Sequence, residues 1–483
     1  MGQPELSRRR RMLVLAICCL SLFIVGLDAT IVNVALPSIQ RDLNAPVSGL
    51  QWTVDAYTLV VASFLMLSGS TADRVGRRRV FQIGLGLFTL GSLLCSLAPG
   101  LGWLVAFRML QALGGSMLNP VAMSIITNTF TDPAERARAI GIWGAVWGVA
   151  MALGPIAGGI LVTSVGWPGI FWVNIPVGVA AIILTALFVP ESRAARARRL
   201  DPVGQLLVVL TLASLTYGII EAPTSGWTSP KILTAFGLAA AALICLLSYE
   251  PRQKEPLIEL RFFRSVPFSG ATVIAICAFA ALGGFLFLNT LYLQDVRGYS
   301  PLHAGLYMLP LAAMTVLLAP LSGRIVAARG PRLPIVLGGI TTVAGGIMLT
   351  RVTADTPASW LIASYLVFGI GAGMVNPPIT NTAVSGMPVS QAGVAAGIAS
   401  TSRQVGTALG VAIAGSAVLS VLHGSLRVGF TDASRVGWWI ITGCGVAILL
   451  VGLVSTGRWA RGTAQRTADR MMPASPQVRV TAP

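Results

Sequence analysis

Apolar runs of roughly 20 residues, the length a helix needs to cross a ~30 Å hydrocarbon layer, recur along the whole chain. They lie at 12–37, 51–72, 80–98, 102–126, 138–162, 168–189, 203–220, 231–248, 266–293, 302–322, 333–350, 358–380, 392–420 and 436–456. The runs are too long for barrel strands, and the pattern predicts fourteen transmembrane helices. Polar residues gather in short segments between them. The tightest segment, Gly69-Ser-Thr-Ala-Asp73-Arg74-Val-Gly76-Arg77-Arg78-Arg79, leaves only a hairpin of a few residues between the second and third runs. Gly69 and Gly76 allow close approach and a sharp turn there, and Asp73 is placed to cap or pair at a helix end.

The charges fix an orientation. With the N-terminus inside, the inner segments hold 26 of the 34 Lys and Arg, and the outer loops hold six. By the positive-inside rule this predicts both termini on the cytoplasmic side of a cell membrane. The other two, Arg108 and Arg403, fall inside apolar runs. Arg8 to Arg11 imitate the start of a signal peptide, but the run that follows carries Asp28 and has no small-residue cleavage site, so it reads as a retained first helix.

Composition agrees: of 483 residues 54% are hydrophobic and 11% charged, with a mean hydropathy of +0.77. A soluble domain of this size would be insoluble with such a surface. The net charge of +17 sits in the short loops, where it faces lipid headgroups rather than nucleic acid. The six cysteines lie inside apolar runs and the two histidines are far apart, so neither a disulfide framework nor a metal set is expected. No cofactor and no obligate protein partner is expected either.

The chain also repeats itself. Met117-Leu-Asn119-Pro120 in the fourth run returns as Met374-Val-Asn376-Pro377 in the twelfth, and Gly154 then aligns with Gly410. The expected architecture is an all-α polytopic protein of two parallel six-helix bundles, 12–189 and 266–456, facing one another across a cavity. A linker with two extra helices (190–265) separates them, flanked by a short N-terminus (1–11) and a tail (457–483) expected to be disordered.

Ionisable groups inside a membrane are costly and are therefore functional candidates. Counted at 1.5 Å per residue, Asp28, Asp55 and Arg108 reach a similar level in the outer third. A carboxylate there suits proton loading, with arginine as a fixed positive neighbour; Asp28 and Asp55 also admit a capping or interfacial role. Arg403 lies deep in the thirteenth run and either faces the cavity or pairs across the bundles. The fifth run carries Gly144, Gly148, Gly154-Pro155 and Gly158-Gly159, a pattern for tight helix packing with a loosened backbone ladder. Asn33, Tyr57, Gln111, Trp143, Trp147 and Asn376 are candidates for the cavity lining, with plain packing the alternative for the tryptophans.

Four motifs, in order, resemble one branch of a known family. They are Leu27-Asp28-Ala-Thr30-Ile-Val-Asn33-Val-Ala-Leu36-Pro37, the Gly69–Arg79 loop, the Arg108-Met-Leu-Gln111 helix and the Gly154-Pro155 helix. With fourteen helices, the chain resembles the QacA/EmrB-like drug:proton antiporters of the major facilitator superfamily. The resemblance implies alternating access, with proton entry driving export of lipophilic, often cationic compounds. It implies Asp28 as the proton and substrate-cation site with Arg108 as partner, and Asp73 and Arg74 (with Gly69, Gly76 and Arg77) as a latch between the bundles. The Gly154 helix would shape the gate. A lipid or natural-product exporter of narrow specificity is the alternative; an uptake symporter lacks the Gly154-Pro155 signature. Pro168 departs from the family, whose members often carry arginine there.

Overall fold

The computed structural model describes residues 7–194, 200–253, 255–385, 387, 391–424 and 426–471. Within them are fourteen helices long and apolar enough to span a membrane: α1 (Arg8–Leu43), α2 (Val47–Val75), α3 (Arg77–Ser96), α4 (Leu101–Thr129), α5 (Ala134–Val165), α6 (Gly169–Phe188), α7 (Pro202–Ser225), α8 (Pro230–Arg252), α9 (Val266–Val296), α10 (Pro301–Arg329), α11 (Arg332–Leu349), α12 (Ala358–Val384), α13 (Ala392–Val421) and α14 (Leu426–Ser455). The chain is a multi-pass membrane protein. Large apolar side chains such as Leu187, Ile244, Leu317 and Leu450 are exposed on its flanks, where lipid replaces water as the solvent.

Helix starts follow local chemistry. Asp201, Ser229, Ser265 and Ser300 accept backbone N–H bonds at the heads of α7, α8, α9 and α10, each with proline in the first turn, where no N–H partner is needed. The break between α2 and α3 is Gly76, at φ 130°, a conformation L side chains rarely adopt.

The repeat is visible in the packing. In the first bundle α1 packs on α5, α2 on α4, and α3 on α4 and α6. In the second, α9 packs on α13, α10 on α12, and α11 on α12 and α14. The close approaches match too. A Cβ at Gly158 would lie 2.9 Å from the Ile31 side chain on α1, and one at Gly410 would lie 2.1 Å from the Ala280 carbonyl on α9. The bundles meet through α2 with α13, α5 with α10, and α1 with α9, while α7 and α8 pair and α7 lies along the α2–α13 seam.

The tail differs from expectation. Residues Arg458–Met471 form a further helix, α15, with Ala460, Ala464, Thr467 and Ala468 buried on one side. Its Thr463 Oγ1 accepts the Val266 N–H at 2.9 Å, docking it on the start of α9. Small residues at helical spacing carry this face, so a polar composition hid it. Residues 1–6 and 472–483 lie outside the described part.

Candidate functional site

A cavity of about 800 Å³ lies between the bundles. It opens toward the face that bears the arginine loops (the basic face), where Asp73, Asp201 and Glu255 line it. Deeper in, its wall includes Asn33, Tyr57, Trp143, Trp147, Asn376 and Arg403. Toward the opposite face the bundles close. Gln51 Nε2 on α2 donates to the carbonyls of Val411 (3.2 Å) and Ala412 (2.9 Å) on α13. Gln294 Nε2 on α9 donates to the Val34 carbonyl on α1 at 2.8 Å. Between α5 and α10, a Cβ at Gly159 would lie 2.5 Å from Leu302 Cα, and one at Gly305 would lie 2.2 Å from the Pro155 carbonyl.

Behind the cavity wall sits the charged centre of the first bundle. Arg108 Nη1 donates to Asp28 Oδ2 at 2.7 Å, and both side chains are buried, at 2% and 0% exposure. The second carboxylate oxygen accepts from Gln111 Nε2 (2.9 Å) and Asn174 Nδ2 (3.4 Å), and Ser92 Oγ accepts from the same two amides. Arg108 also donates to Gln111 Oε1 (2.7 Å) and the Thr53 carbonyl (3.3 Å), with the Tyr57 ring 4.2 Å from its guanidinium carbon. Arg108 reaches the cavity wall and Asp28 does not. Gln111, expected at the lining, is instead sealed in this network: three residues on from Arg108, it shares the helix face turned to Asp28. Asn174 and Ser92 escaped the sequence reading; an asparagine inside an apolar run was the available signal.

The remaining candidates separate. Asp55 is fully buried, and its carboxylate oxygens have no hydrogen-bond partner among the described residues. By the helical period it lies on the far side of α2 from Tyr57. That side is turned to α13 through Gln51 and to α7 through Trp52 Nε1, which donates to Glu221 Oε1 at 3.0 Å. Asp55 is therefore apart from the Asp28 network and from the cavity wall. Arg403 faces the cavity; among the described residues it makes no salt bridge across the bundles or within its own.

The major facilitator superfamily model matches residues 18–411, most of the chain. The chain belongs to the major facilitator superfamily. Among relatives, it is 38% identical over 419 residues to the multidrug resistance protein Stp of Mycobacterium tuberculosis, covering 87% of this chain and 78% of that protein. It is 38% identical over 396 residues to the tetracenomycin C resistance and export protein of Streptomyces glaucescens, covering 81% and 73%. A solved bacterial homologue of the lysosomal transporter Spinster, inward-facing and occupied, superposes with a TM-score of 0.68 at 16% identity, over 97% of this chain and all of that one. At that identity the likeness is one of fold.

In this facilitator the Gly69–Arg79 loop is tied within itself and to residues 191–194, the start of the linker. Asp73 Oδ1 accepts from Arg77 Nε (3.0 Å) and Nη2 (2.9 Å), the Asp73 carbonyl accepts the Ala194 N–H, and Arg77 N–H donates to the Ser192 carbonyl. Glu191 Oε1 accepts the Arg78 N–H at 3.1 Å. Arg74 is exposed. The expected latch between bundles thus has its Asp73 turned to Arg77, since the bundles stand apart where Asp73 lines the cavity mouth. On α5, the Gly154–Gly159 end is pressed between α1 and α10, whereas Gly144 has open space and Gly148 meets only Val316, 3.6 Å away.

Proposed function

We propose that this facilitator is a proton-coupled exporter of lipophilic small molecules, set in the cell membrane with both termini and the basic face on the cytoplasmic side. The 26-to-6 distribution of basic residues supports the orientation. The observation that carries the coupling is the buried Asp28–Arg108 pair at the wall of a cavity open to one face only. The resistance and export proteins among its relatives support the direction of transport.

An ionised Asp28 only accepts hydrogen bonds, and here it meets three N–H groups, from Arg108, Gln111 and Asn174. A proton on it turns an acceptor into a donor and removes the counter-charge of Arg108. The donors then face one another, and the arrangement of α1, α4 and α6 held by the pair loses its main tie. In the cycle we propose, a proton taken up from outside releases the pair, and its loss to the cytoplasm re-forms the pair as cargo enters. Protons and lipophilic cargo are the only partners this cycle needs.

The test is dye efflux and proton movement in everted membrane vesicles carrying a pH gradient, wild type against Asp28→Asn. Cargo-induced proton movement in the wild type that vanishes in the variant is the expected result. Coupling that survives the substitution would overturn the role of Asp28.

A further inference from the structure

Building on the export reading, we infer that Arg403 makes the cavity a binding site for flat aromatic compounds bearing an anionic oxygen, such as a carboxylate or phenolate, in preference to lipophilic cations. Arg403 lies eleven residues into α13, about 16 Å from the basic-face end at 1.5 Å per residue. Its guanidinium has five N–H donors. Two are spent on hydroxyls, those of Thr380 on α12 and Ser400 one turn back. Its Nε has no partner, and no carboxylate stands within salt-bridge distance among the described residues.

Among the described residues the other charges on the cavity wall have partners, Asp201 through one oxygen only and at the cavity mouth. Arg108 is bound to Asp28, Asp73 to Arg77, and Asp201 Oδ1 to the Gly204 N–H, and Glu255 is engaged as well. The carboxylate expected to meet a cation, Asp28, has no exposed surface. Among the described residues the deep cavity therefore presents one charge without an opposite charge beside it, and it is positive.

A charge held in the membrane without a counter-ion costs several kcal/mol, so a structural role would have given it an acid. An arginine fork matches a carboxylate in two parallel bonds. Flat surfaces complete the site: Phe279 lies 5.8 Å from the Arg403 guanidinium carbon, and Trp143 and Trp147 line the same cavity. Asn33 and Asn119 line the cavity too, but Asn33 Nδ2 is spent on the Ala29 carbonyl, and the amide oxygens of both are buried away from the cavity space.

Two xanthene dyes of opposite charge test this: fluorescein, anionic at neutral pH, and rhodamine 123, cationic. Their binding to the full-length protein in nanodiscs is measured by fluorescence anisotropy for wild type, Arg403→Gln and Arg403→Lys. We expect wild type to favour fluorescein by about ten-fold or more, the gain of one charge-assisted bond. The glutamine variant should lose that ratio and the lysine variant should keep most of it. A wild type that binds rhodamine 123 equally or better, or that binds no fluorescein, overturns the inference, as does a ratio unchanged in Arg403→Gln. Dye movement in everted vesicles is read separately. Binding preference without movement leaves the site standing and removes the export reading. Movement without charge preference does the reverse.

Discussion

The Thr30 hydroxyl stands where a side chain on Gly154 would have to be: an added Cβ would lie 1.9 Å from Thr30 Oγ1. The same hydroxyl reaches the Met151 carbonyl at 3.3 Å. Met151 is the residue whose carbonyl Pro155 leaves without a helical N–H donor. One residue of α1 thus fills the space glycine opens and satisfies the acceptor proline strands, and each of the three positions makes sense only with the other two.

Gly154→Ala should therefore wedge α1 from α5, at about 1–3 kcal/mol of overpacking, and lower both thermal stability and transport. Gly144→Ala, with nothing within 4 Å, should not lower the stability; because Gly144 lines the cavity, it is the control for stability alone. Thr30→Ala combined with Gly154→Ala should recover part of the stability. Thermal unfolding in detergent, followed by vesicle transport, checks all three.

Removing one member of the Asp28–Arg108 pair leaves the other buried without its counter-charge. Asp28→Asn and Arg108→Gln should each cost about 3–5 kcal/mol. The double variant should be more stable than the sum of the two implies, yet remain uncoupled. A double-mutant cycle from unfolding data, with proton movement measured alongside, separates the two effects.

Gly76 has two reasons to be glycine: its φ of 130° and the Glu191 carboxylate, 2.7 Å from any added Cβ. Gly76→Ala should cost about 1 kcal/mol or more and loosen the loop from residues 191–194. Gly330, with φ 83° and open space around it, bears only the backbone strain. Gly330→Ala should be the milder change, and limited proteolysis of the two variants compares the loops directly.

The closure at the face opposite the basic one rests partly on two glutamines. Gln51→Ala or Gln294→Ala removes a bond that exists only while that face is shut. At about 1 kcal/mol for the closure lost, each should shift the balance about five-fold from the form open at the basic face toward the form open at the opposite face. Spin-label distances between the outer ends of α1 and α10 would report the shift.

Much of this was legible in the sequence because the bilayer simplifies the problem. Run length alone gives fourteen helices, and depth along each helix brought Asp28 and Arg108 to one level. Depth says nothing about which way a side chain turns. Asp55 shares that level but lies round the helix from Tyr57, and Gln111, counted toward the cavity, is buried against Asp28. Asn174 showed only as an asparagine inside an apolar run, and its role stayed hidden because its partner sits 146 residues away in sequence. The α15 helix was missed because alanine and threonine carry its packed face, and they give little hydropathy signal. Arg403 was ambiguous until the absence of an opposite charge among the described residues showed what it is not used for.

The closest approaches between α5 and α10 at the closed face are to backbone: Gly159 against Leu302, and Gly305 against the Pro155 carbonyl. Parting these helices frees almost no side-chain rotamers, and bringing them together again freezes almost none. Ordering a long side chain costs up to ~2 kcal/mol, whereas glycine and proline contribute essentially nothing to that term. A seal of this kind carries little entropic bias toward open or shut. On the proposed cycle, this is the kind of seal that a small input, a single proton or a single cargo molecule, can open or shut.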